Sequence, residues 1–107
     1  MPLYGMYGHH TIDACPLHNK DAAKIVVSIA EDDLSSLLRE CKINSIVGQY
    51  HSAFEHTFVW ILDAEDAHLV QKFADESGIA RHNTIKIVPL STLKDNVAPK
   101  ARLIHGL

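Results

Sequence analysis

Two periodicities alternate along this chain. Residues 3–9, 43–51 and 56–62 are short runs dense in β-branched, aromatic and other bulky apolar side chains. Such runs suit pleated, half-buried strands. Between them the period lengthens: Ala22, Ile25, Val26, Ile29, Ala30, Leu34, Leu37, Leu38 and Cys41 recur at helical spacing, which puts one apolar stripe on a helix. Asn19 and Asp21 are both placed to cap it, because a short side-chain oxygen accepts from the free N–H groups of a first turn. Glu31-Asp32-Asp33 interrupts the stripe. Carboxylates favour the positive end of a helix dipole, so a bend or a second helix start is expected there. A further helix is expected over 63–77, with Ala67, Val70, Phe73 and Ala74 on one face and Gly78 as its stop. A last strand over 84–88 ends at Pro89, and 90–107 reads as a tail containing Pro99.

The order is β-α-β-β-α-β, an α+β chain with the split βαβ pattern of a ferredoxin-like fold: one antiparallel sheet with both helices on one face. The strands are apolar on both sides. Val59 and Ile61 point one way, and Phe58, Trp60 and Leu62 the other. A lone chain would expose one of these faces, and exposed apolar surface of that extent marks an interface. A homodimer packed sheet to sheet is the expected remedy.

Glu55-His56-Thr57-Phe58-Val59-Trp60-Ile61-Leu62-Asp63-Ala64-Glu65, together with Gly8-His9-His10-Thr11 and Cys15-Pro16-Leu17-His18-Asn19, resembles small, functionally unassigned members of the dimeric α/β-barrel group. The resemblance covers residues 3 to about 90. It implies a domain over 1–90 that pairs with a second copy to close a barrel. Residues 91–107 lie outside the resemblance and read as a tail that covers the domain's barrel edge, packs on the partner or stays loose. The group spans monooxygenases, haem-degrading enzymes, isomerase-like proteins, iron enzymes and plain ligand-binding domains, so the likeness speaks to fold and not to reaction.

Composition narrows the rest. The chain has 107 residues, enough for one domain. Its formal charge of −3 comes with no basic block, which argues against nucleic acid as a partner. No apolar run is long enough to span a membrane. The first residues, Met1-Pro2-Leu3-Tyr4-Gly5, lack the charged and apolar regions of a signal peptide. Two cysteines make no disulfide framework, so reduced thiols in the cytoplasm are expected.

Eight histidines against ten Lys plus Arg is the outlying feature. In the expected topology the ends of the first two strands share an edge with the starts of the last two. His9, His10, His51, His56 and His82 fall there, and the entry to the first helix adds Cys15 and His18. His105 joins only if the tail folds back, and His68 belongs to the opposite end. Imidazole and thiolate are the common side-chain ligands of transition ions. The expected metal ligands are His9, Cys15, His18, His51 and His56, holding Zn, Fe, Cu or Ni, with a haem group as a further option. His9 and His10 point to opposite faces, so only one can enter a given site. His56 shares strand parity with Phe58, Trp60 and Leu62. If that face lines the barrel, His56 stands at the mouth of an aromatic-walled cavity. It would then be the catalytic base or hydrogen-bond partner for a small apolar ligand without any metal. Lys86 is a candidate partner for a substrate carboxylate, with a snorkelling surface role as the alternative.

Overall fold

The computed structural model describes residues 2–107. Four strands form one sheet in the order β2-β3-β1-β4, every neighbouring pair antiparallel. They are β1 (Leu3–His9), β2 (Ile43–Ser52), β3 (Thr57–Ala64) and β4 (Thr84–Leu90). With α1 (Lys20–Glu31) and α3 (Ala67–Ser77) as the crossovers, this is the ferredoxin-like arrangement that the element order predicts.

Local chemistry sets the helix limits. The Asn19 side chain accepts from the Ala22 N–H at 3.0 Å and starts α1. The acidic run does break the stripe: α1 stops at Glu31, and a short α2 (Ser35–Glu40) follows. Asp33 accepts from both the Ser35 hydroxyl and its N–H, which hold its carboxyl below the ordinary range. β2 runs one residue further, to Ser52, and β3 starts one later, at Thr57, which leaves His56 in the turn and not at the head of the strand; three other boundaries differ from expectation by two residues or more. Asp63 and Ala64 stay in β3, where Asp63 is buried and accepts from the Asn44 amide at 3.1 Å. The helix therefore starts later, capped by Asp66, which accepts from the Leu69 N–H at 2.9 Å. β4 runs through Pro89 to Leu90; it is an edge strand, where a missing N–H can face solvent instead of breaking a ladder. The tail is helical: one π-turn at Leu93–Val97 leads into α4 (Ala98–His105). Pro99 falls in the first turn of α4, where no N–H partner is needed.

The core lies between the sheet and the helices. Met6, Phe58, Trp60, Leu62 and Ala64 pack against Ile29, Val70, Phe73 and Ala74. Gly8 sits opposite Phe58 in the β1–β3 pair, and a Cβ there would collide with the Phe58 ring. Gly78 ends α3 with φ of 90°, a conformation that glycine adopts without strain. The other sheet face carries Tyr7, Tyr50, Val59 and Lys86 and no helix. The aromatic face of β3 thus packs against the helices and does not face the barrel side of the sheet, and His56 lines neither the depression beside Trp60 nor the one on the open face, which differs from the expectation that placed it at an aromatic-walled mouth. α4 makes substantial contact only with the turn before it. The radius of gyration is 15.9 Å, where a compact chain of about 100 residues has roughly 13 Å.

Candidate metal centre

The strand ends converge as the topology requires. β1 ends at His9, His10 follows it, and the chain turns through Ile12–Ala14 to Cys15 before α1. On the neighbouring side, β2 turns through residues 53–56 into β3, and His56 occupies the last turn position with φ of 57°. Histidine is among the few non-glycine types that tolerate this left-handed region, at some cost. The His10 N–H donates to the His56 carbonyl at 3.0 Å and ties the two segments together.

Parity decides which of the paired histidines enters the site. Gly8 and Met6 face the helices, so His10 does too. His10, Cys15 and His56 each offer a ligand atom, and the three atoms lie within 4.8 Å of one another. The two imidazoles meet edge to face with centroids 5.4 Å apart. Cys15 is 2% exposed and carries a free thiol.

The hydrogen bonding around this trio is lopsided. His10 Nδ1 lies 2.8 Å from the Asn83 side-chain oxygen. That amide is oriented by its own nitrogen, which donates to the Ile79 carbonyl at 2.9 Å. The oxygen therefore accepts from His10 Nδ1, and the lone pair is left on Nε2. His10 Nε2 and His56 Nδ1 are both buried with no hydrogen-bond partner. A buried polar atom without a partner costs about 1–3 kcal/mol. Two such nitrogens, on imidazoles clustered with one buried thiol, are a combination that a bound cation would satisfy. Zinc bonds to imidazole and thiolate are about 2.0–2.3 Å long, so a modest closing of the three side chains suffices.

Of the five expected ligands, Cys15 and His56 belong to this group; His9, His18 and His51 do not. His9 is exposed on the open face, and His18 is exposed at the start of α1. His51 lies on the helix side of edge strand β2, stacked on Phe58 with centroids 5.0 Å apart. Its Nε2 accepts from the Trp60 indole at 3.0 Å. His51 is exposed on one side, but desolvation of its ring against Phe58 and Trp60, with a smaller contribution from nearby His10, pushes its pKa below the ordinary 6.5. His82 Nε2 is also buried and unpartnered but lies outside the trio. His105 is exposed on α4 and His68 on α3. The choice of His10 over His9 follows once the packing is known, and no signal in the sequence pointed to Asn83. A ligand that partners Cys15 at the helix entry must come from the strand parity that faces the helices, which selects His10 once Met6 is assigned to the core.

The open face has its own depression of about 710 Å³, lined by Tyr7, His9, Tyr50, Thr57, Thr84 and Lys86 among others. Lys86 is mid-strand and exposed, paired across from Tyr7. His56 is not part of this lining. Among the described residues, no helix is long and apolar enough to cross a membrane.

No protein-family model matches the chain, and no curated protein does. Among solved structures it is similar to a dimeric ferredoxin-like protein from an uncultured marine organism. Identity is 16%, over 83% of this chain and 89% of that one, with a TM-score of 0.45.

Proposed function

We propose that this chain is a metalloprotein that holds one transition ion on His10 Nε2, Cys15 Sγ and His56 Nδ1. One observation carries the reading: His10, Cys15 and His56 bring a ligand atom each within 4.8 Å of one another, and each of these imidazoles has one buried nitrogen without a partner. Two imidazoles and a thiolate favour borderline and soft ions, so zinc and copper lead, with iron and nickel acceptable. Haem gains no support, since the trio is a tight cluster against filled core. Three protein ligands leave a coordination position for water or a small molecule. An ion so held polarises a bound carbonyl or activates water, which makes a metal-assisted step on a small molecule the natural reaction class. His56 then acts as a ligand and not as a free base. A reducing compartment such as the cytoplasm suits the free thiol.

The open face supports a second element of the proposal. Tyr50 is 63% and Tyr7 41% exposed on a sheet face that no helix covers. A homodimer through this face would bury both and enclose the depression as a chamber for a small ligand, with Lys86 as its cation.

The test is elemental analysis by mass spectrometry of untagged protein prepared without chelator, before and after reconstitution. Close to one ion per chain is expected, lost in Cys15→Ser and in His10→Gln. No ion in the purified protein and none on reconstitution overturns the reading.

A further inference from the structure

Charge is divided unevenly along this chain. Residues 91–107 carry Lys94, Lys100 and Arg102 against Asp95 alone, a formal +2, which leaves −5 on the remainder of a chain whose total is −3. The tail also carries Leu93, Val97, Leu103, Ile104 and Leu107, all exposed, with Leu103 at 83% and Ile104 at 75%. None of its cations is ion-paired with the body among the described residues. An eight-residue helix is far too short to be stable in water by itself, so α4 needs a surface that its own body does not supply.

The body presents a surface of matching chemistry. β4 ends at the pole where β1 starts and β3 ends. Glu31, Asp32 and Asp33 close α1 at that pole, and Glu65 and Asp66 lie between β3 and α3. A depression of about 730 Å³ opens there, with Leu38 and Leu69 in its lining, carboxylates at Glu65 and Asp66, and cations at Arg39 and Lys42.

We infer that α4 is an assembly arm: its apolar residues and cations dock on the acidic pole of a second copy of this chain, and each protomer's arm is received by the other. The inference rests on the homodimer reading above and is independent of the metal. Charge complementarity favours another copy as the occupant: at this pole the carboxylates of Glu31, Asp32, Asp33, Glu65 and Asp66 outnumber the cations Arg39 and Lys42, and this acidic pole and the basic, apolar arm form no ion pair within one chain among the described residues. An exchange of arms satisfies both at once, in the reciprocal manner of a two-fold interface.

Sedimentation equilibrium of the full chain, from low to high micromolar concentration and at low and high salt, tests this. α4 contributes nothing to the core, so in protein dilute enough to be monomeric tail variants should keep the wild-type melting profile. The wild type should dimerise, more weakly at high salt. The double variants Leu103→Glu/Ile104→Glu and Lys100→Glu/Arg102→Glu should each weaken self-association about tenfold or more. Adding Glu65→Lys to the second should recover part of the loss. A monomeric wild type at every concentration overturns both the arm and the homodimer. A dimer that tail variants leave unchanged but Tyr50→Glu weakens overturns the arm alone. A tail bound to its own body, shown by protection of 93–107 from proteolysis that is independent of concentration, also overturns it.

Discussion

The two faces of one sheet come from the same alternating strands, yet they meet different fates. Beneath the helices, Met6, Phe58, Trp60 and Leu62 are each at most 4% exposed. On the other side, Tyr7 and Tyr50 stand in solvent. Alternation supplies apolar side chains to both faces, but crossover helices cover only one. The same asymmetry locates the chemistry. The loop that enters α1 brings Cys15 to the helix side, so the candidate ion site forms where His10 and His56 can reach it. The open face can enclose a ligand only with a partner.

Equal substitutions on the two faces should therefore give unequal results. Trp60→Ala should have the largest effect, costing about 3–5 kcal/mol through the cavity it leaves and the lost bond to His51. Tyr50→Ala should change the thermal stability of the monomer by about 0.5 kcal/mol or less. Chemical denaturation of dilute protein compares them, and similar losses would contradict the division between filled and open faces. Glycines sharpen the point. Gly8→Ala drives a methyl group into the Phe58 ring and should cost roughly 1–3 kcal/mol. At Gly5 the nearest obstacle is the Tyr7 ring edge at 2.7 Å, the end of an exposed side chain that can turn away. Gly5→Ala should cost less than Gly8→Ala in the same assay.

Asn83→Leu probes the helix-side site without touching the three ligands. Losing the acceptor at His10 Nδ1 frees the ring and its tautomer, so ion affinity should fall roughly 10–100-fold while the fold persists. Competition with a chromophoric chelator measures this, and unchanged affinity would remove Asn83 from the site. The smallest expected effect is electrostatic. Native His51 resists protonation, so as pH falls below 6.5 the unfolded chain takes up a proton that the native chain declines. Stability should then drop with pH until native His51 also protonates, and should be flat with respect to this group above that range. His51→Gln keeps an acceptor for Trp60 and should flatten that slope. Denaturant midpoints between about pH 5 and 8 read it out.

Much of this was legible in the chain. The capping oxygen at Asn19, the acidic break after Glu31 and the limits of β1 follow from local rules that act over a few residues. Boundaries at Asp63 and Pro89 were not legible, because each depends on a neighbour: Asn44 across the sheet for the first, and edge position for the second. The helical tail was missed since Pro99 reads as a breaker unless the first turn is known to contain it.

Sequence alone determined the β-α-β-β-α-β frame of the chain and that His9, His10, His51, His56 and His82 gather at one end of the sheet. Both follow from hydrophobic period and strand direction, which are properties of order along the chain. Tertiary structure decided which histidines meet. Strand parity is ambiguous when both faces are apolar, and only the side on which the helices pack turned His10 toward Cys15 and left His9 in solvent. It also decided that His51 serves Trp60 and that α4 stands apart from its own body, since both depend on which surfaces touch, a matter of packing that no local spacing encodes.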